Sequence, residues 1–113
     1  MTLNATSSSI KCPMQIPTFA GGGLSFGSVT LDGGSGGATV TGSNTFVNFT
    51  RIAVANTSNG VNFPAGGTQT ITGTLTLTGN SALNTLLVQS STVGTATTLN
   101  AAAVSLSTPV VDF

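Results

Sequence analysis

Histidine, glutamate, tryptophan and tyrosine are absent from this chain, and charge of either sign is nearly so. Lys11, Arg51, Asp32 and Asp112 are its charged residues, 4% of the chain, where an ordinary soluble domain is about a quarter charged. Two cations cannot displace the counterions of a nucleic acid, nor hold an anionic membrane surface, so neither is an expected partner. No run approaches the roughly 18 apolar residues of a membrane-spanning helix. The opening MTLNATSSSIK lacks the basic region and apolar run of a signal peptide. An external location would then imply release by lysis, another export route, or a place within a longer chain. The single cysteine, Cys12, rules out an internal disulfide framework. It reads as a small buried apolar side chain, with an intermolecular bridge as the alternative.

The same absences bear on catalysis. Glycoside hydrolysis needs two carboxylates about 5–10 Å apart around one bond. The candidates are Asp32 in a glycine turn and Asp112 next to the last residue, with no Glu, His or Tyr to assist. Serines abound, but no histidine can serve as their base. Lys11 beside Cys12 is the pattern of a thiol activated by a cation, yet it equally fits a strand with Lys11 outward and Cys12 inward, the preferred reading. Asp32-Gly33-Gly34-Ser35-Gly36-Gly37 has neither the second Asp of a calcium-binding glycine repeat nor the Lys-Ser/Thr ending of a phosphate loop, and reads as a turn. No catalytic, metal or cofactor-binding residue is therefore assigned, and the chain is expected not to be an enzyme. Asn4, Asn48 and Asn56 open Asn-x-Ser/Thr triplets, which matter only in a secreted eukaryotic protein.

What the chain does contain is Thr, Ser, Asn and Gly around short alternating apolar runs. Helix formers are scarce, and β-branched residues dominate. Alternation predicts strands at Leu24–Phe26 and Val29–Leu31 around a kink at Gly27-Ser28, and again at Ala38–Thr41, Phe46–Phe49, Ile52–Ala55 and Val61–Phe63. The longest run is Thr68 to Thr78. Ile71, Gly73, Leu75 and Leu77 share one face there, and Thr70, Thr72, Thr74, Thr76 and Thr78 the other. Further strands are expected at Leu86–Val88, Ala96–Leu99, Val104–Leu106 and Val110-Val111. Ser81–Leu87 reads as a turn leading into a strand, with a short helical turn as the alternative. Turn clusters at 21–23, 32–37, 42–44, 56–60, 64–67 and 79–81 separate the runs.

Internal similarity bears on how the strands are arranged. Phe26–Thr30 can be laid on Phe46–Thr50 at a shift of 20 residues, and both lead through a turn to a short strand, Thr39–Thr41 or Val61–Phe63. Coils of roughly 20–25 residues are typical of parallel β-solenoids. Stacked coils place small or β-branched apolar residues in inward rows, and leave unpaired backbone at both ends. Phe19, Phe26, Phe46, Phe49, Phe63 and Phe113 are expected in the core. A threonine array able to order ice would have to recur in each coil, and Thr39/Thr41 lies 31 residues from Thr70/Thr72, off the 20-residue shift.

The segments TFAGGGLSFGSVTL (18–31), TVTGSNTFVNFT (39–50), VNFPAGGTQTITGTLTLTG (61–79) and LLVQSSTVGTATTLN (86–100) resemble β-helix repeat modules of phage virion proteins and bacterial secreted surface proteins. The likeness runs from about Thr18 to Val111 and contains no catalytic motif. Longer modules of this kind continue with an aspartate-containing strand, and Pro109–Phe113 looks like its beginning. The resemblance implies a right-handed parallel β-helix used as a rigid scaffold in tail fibres, spikes, capsid decorations or adhesins. The expected fold is all-β, a right-handed parallel β-helix of four to five coils, with a jelly-roll sandwich as the alternative. Residues 1–113 would form one module, with 1–17 a cap or arm and 18–113 the coils, complete in itself or cut from a longer chain. The expected role is structural, in a virion or at an extracellular or cell surface, with a bacterial adhesin stalk or a small glycan- or ice-binding module as alternatives. The expected partner is another copy or a second scaffold protein, joined through residues 1–16 and 101–113 and through Thr/Asn-rich faces, with weak glycan contact the remaining possibility.

Overall fold

The computed structural model describes residues 5–13, 17–32, 37–53, 59–106 and 111–113. The protein is all-β, and no described residue is helical. Its strands are β1 (Ala5–Cys12), β2 (Thr18–Ala20), β3 (Ser25–Asp32), β4 (Ala38–Thr41), β5 (Thr45–Ile52), β6 (Asn59–Phe63), β7 (Thr68–Thr78), β8 (Leu86–Ser90), β9 (Thr98–Leu106) and β10 (Val111–Asp112). Odd-numbered strands form one five-stranded sheet in the order β1-β3-β5-β7-β9, and even-numbered strands form a second, β10-β8-β6-β4-β2. Every pairing between these strands is parallel. A jelly roll, built from antiparallel strands, does not have this pattern.

The 20-residue shift is the register of β3 on β5: Phe26 faces Phe46, Val29 faces Phe49 and Thr30 faces Thr50. β4 meets β6 at a slightly longer step, Ala38 opposite Val61. The step widens further toward the C-terminal end, where Leu77 of β7 faces Leu106 of β9. The added length is spent in the segment between β8 and β9, residues 91–97, which is mostly exposed.

Register sorts the core into rows. One row runs Phe26, Phe46, Ile71, Ala101, and the next runs Val29, Phe49, Leu75, Val104. A third runs Cys12, Leu31, Arg51, Leu77, Leu106. The second sheet faces them with Phe19, Ala38, Val40, Val61, Phe63, Leu86 and Val88, all buried. Fully burying each Val, Leu, Ile or Phe of this set stabilises the fold by about 1.5–3 kcal/mol. Five phenylalanine rings form a continuous chain, from Phe26 and Phe19 (5.0 Å, edge to face) through Phe46 and Phe49 (5.0 Å) to Phe63 (5.7 Å). Phe113 does not join them. It is 73% exposed, because it follows β10 at the end of its sheet and, among the described residues, no further strand lies over it.

The expected kink at Gly27-Ser28 is a break in alternation that β3 shares with β5. Inward residues are three apart at Phe26/Val29 and Phe46/Phe49 but four apart at Ile71/Leu75, so the ladder shifts register there. Glycines make the shift possible by close approach. A Cβ on Gly27 would lie 2.2 Å from the Ser8 carbonyl oxygen, and one on Gly73 would lie 2.6 Å from that of Val47. Side chains take up the backbone groups this leaves over. Gly27 N–H donates to Ser8 Oγ (3.3 Å), and Thr74 N–H donates to Asn48 Oδ1 (3.0 Å).

Ser81–Asn84 is a turn that leads into β8, as its sequence suggests. Residues 5–12, read from the sequence as part of a cap or arm, form the edge strand β1. Of the turn clusters, 33–36 and 56–58 lie outside the described residues.

Candidate functional site

None of the chemical candidates is assembled into a site. Asp32 sits on β3 and Asp112 on β10, near opposite ends of the two sheets. Asp32 is instead paired with Lys11 at 2.8 Å across β1 and β3. Lys11 is exposed while Cys12 is half-buried against the core, the alternation expected of a strand. Among the described residues no three of His, Cys, Asp or Glu cluster as metal ligands. Of the Asn-x-Ser/Thr triplets, Asn4 and Asn56 lie outside the described residues, and the Asn48 amide is engaged with Ser28 Oγ and Thr74 N–H.

Two buried polar centres escaped the sequence reading. Arg51 is fully buried and donates to the carbonyl oxygens of Leu31 (3.1 Å), Ile52 (3.0 Å) and Gly60 (3.3 Å), and to Asn59 Oδ1 (3.1 Å). Burial lowers its pKa, and the negative charge of Asp32 opposes that shift. Asn44 accepts from Gly23 N–H (3.0 Å) and donates to the carbonyls of Thr41 and Gly42 and to Gln69 Oε1. These bonds satisfy the tight turns at the sheet corner. Both centres are visible in retrospect as phase: Arg51 follows Phe49, and Gln69 precedes Ile71, each at the inward step of a strand.

The features left over are the sheet edges. At one end β9 carries Leu99, Ala101, Val104 and Leu106 in register with Gln69, Ile71, Leu75 and Leu77. Leu75 and Leu77 are covered (3% and 0% exposed), but Val104 and Leu106, on the last strand, are 56% and 38% exposed. Val88, Val93, Leu99 and Phe113 line an open cavity of about 920 Å³ at this end. No charged residue occurs along β9, so the edge lacks the lysines that usually deter strand addition. At the other end β1 offers Ala5, Ile10 and Cys12, half-buried and packed against the core on one side only.

Two further surfaces are polar. The outer face of the first sheet carries an in-register row Lys11, Thr30, Thr50, Thr76, Ser105. Thr39/Thr41 and Thr70/Thr72, compared in the sequence, lie on different sheets and are not equivalent positions. A smaller groove of about 450 Å³ is lined by Asn59, Asn62, Thr85, Gln89 and Asp112, with Gln89 Nε2 donating to Asn62 Oδ1 at 2.7 Å.

No family model, no curated protein and no solved structure matches this chain.

Proposed function

We propose that the chain is a non-catalytic structural module, a short right-handed parallel β-solenoid that assembles through its open ends. The observation that carries this reading is the strand order. The chain visits the two sheets alternately, and each visit adds the next parallel strand on the same side, leaving β1 and β9 as opposite edges of a five-rung stack. Right-handedness follows from the near-universal hand of parallel crossover connections. A low-charge, apolar, unpaired edge is a liability for a protein that must stay alone and an asset for one that must associate. The resemblance of residues 18–111 to phage and bacterial surface modules suggests a tail fibre, spike, capsid decoration or adhesin stalk as the setting.

The test is the native mass of the purified chain by light scattering, with negative-stain images of the same sample. Defined oligomers or filaments are expected. A clean monomer at high concentration overturns the reading.

The row Thr30–Thr50–Thr76 favours a second reading, a hydroxyl-lined face that binds ordered water or glycans. Ice-affinity partitioning and a glycan array test it, and retention by neither removes it.

A further inference from the structure

We infer that copies of this chain add head to tail, with β9 of one copy pairing in parallel with β1 of the next, so that Ala101, Val104 and Leu106 stand opposite Ala5, Ile10 and Cys12. This rests on the structural reading above and specifies its interface.

The argument begins with spacing. β1 is already paired with β3, whose inward residues Phe26, Val29 and Leu31 stand opposite Ala5, Ile10 and Cys12. On β9 the residues in the same rows are Ala101, Val104 and Leu106, separated by the same three-and-two steps. The free side of β1 would therefore meet a strand with the residue spacing that its bonded side accommodates. The irregularity between Ala5 and Ser9, which absorbs the break in β3, faces the equivalent break in β9.

Side-chain chemistry agrees row by row. The partly exposed Val104 and Leu106 would be covered by Ile10 and Cys12, as Leu75 and Leu77 are covered within the chain. The one charge on β1, Lys11, is already neutralised by Asp32 of its own chain and would face Ser105, so no unpaired charge is buried. The second sheet follows in the same direction, with β10 at the β9 end and β2 at the β1 end, so one step extends both sheets. Five strands spaced about 4.8 Å apart span roughly 20–25 Å, so the shortest dimension, 25 Å, lies along the stack. The end face is bounded by the other two, 46 and 30 Å, room enough for the roughly 800 Å² per partner of a standard interface. Because the joining surfaces differ and are related by translation, the contact is heterologous and does not close on itself.

The register is tested with Leu106→Cys in the 113-residue chain. Cα atoms on adjacent strands lie about 5 Å apart, within disulfide range. Under mild oxidation L106C should give a ladder of covalent trimers and higher species on a non-reducing gel. The parent and the double variant C12A/L106C, each with one thiol, should stop at dimers. Ile10→Cys with Val104→Cys in a Cys12→Ala background reads the neighbouring rung, and should also ladder. Val104→Lys should raise the concentration needed for association by about tenfold or more, with the circular dichroism spectrum unchanged. If the parent associates but neither cysteine pair ladders, the head-to-tail register is wrong while the structural role survives. If the parent does not associate at any concentration, the structural reading itself fails, and this inference with it.

Discussion

Asn44 and Gln69, 25 residues apart in sequence, are locked together inside the protein. Asn44 Nδ2 donates to Gln69 Oε1 at 3.2 Å, and Asn44 N–H donates to the same oxygen at 3.3 Å. Gln69 Nε2 in turn donates to the Gly42 carbonyl at 2.7 Å. Two amides thus tie the turn before β5 to the start of β7. Removing either amide leaves part-buried backbone groups of the corner without that partner.

Asn44→Ala is therefore expected to cost about 1–3 kcal/mol, because the part-buried Gly23 N–H and two carbonyls, and the buried Gln69 Oε1, lose a partner together. Urea denaturation against the parent measures it. A loss below about 0.5 kcal/mol, the level of an ordinary surface substitution, would show that the corner is held by other means.

Arg51→Met keeps much of the side-chain volume but removes the donors that Arg51 gives to the Leu31, Ile52 and Gly60 carbonyls and to Asn59. Breaking a buried, charge-assisted set in this way is expected to cost about 3–5 kcal/mol. The shift of Arg51 sets the sign of any alkaline response. Its folded pKa is lowered by burial, so the unfolded chain binds the proton more tightly, and any titration of Arg51 adds stability as pH rises. Between about pH 5 and pH 7, where histidine usually titrates, the chain has no histidine to respond. The urea midpoint is expected to vary little there, and a midpoint that moves across this window would show that some other group changes its proton binding on folding.

Gly27→Ala and Gly66→Ala separate two ways of needing glycine. At Gly27 the new methyl meets backbone at 2.2 and 2.7 Å and forces the β1–β3 ladder apart, with an expected cost of about 3 kcal/mol. At Gly66 the space is open, but φ is +68°, and the strain amounts to about 1–2 kcal/mol. Thermal unfolding of the two variants should rank Gly27→Ala as clearly the less stable. The reverse order would mean that the ladder yields at the break.

Phe46 touches Phe19, Phe26 and Phe49, and Phe46→Ala should cost about 3–5 kcal/mol. Phe113→Ala in monomeric, dilute protein should stay within about 0.5 kcal/mol of the parent, since the ring is mostly exposed. Comparable losses at both sites would place Phe113 in the core after all.

The contrast between these residues shows what can be read without coordinates. Most strand positions, the β3–β5 shift and the kink at Gly27-Ser28 were legible because each depends on local alternation and turn chemistry. β1, read as a cap or arm, was not, and β9 was read as two shorter strands interrupted by its alanines. Five phenylalanines fell in the core for the same reason. Phe113 did not, because its burial depends on whether another strand lies above it, and composition carries no information on that. Arg51 and Gln69 look like surface residues by type, and only their phase within β5 and β7 marks them as inward. The threonine row was missed because equivalent positions are set by register, with steps that vary between strand pairs as turns lengthen.

Each rung of either sheet is bonded only to the rung before it and the rung after it. Opening β5, in the middle, breaks two ladders, whereas peeling β9 from the end breaks one. Melting is thus a zipper that runs inward from its teeth at the margins, with amide exchange fastest at β1 and β9 and slowest at β5. Length itself becomes the stabilising variable, because every rung added at an end converts the former margin into interior.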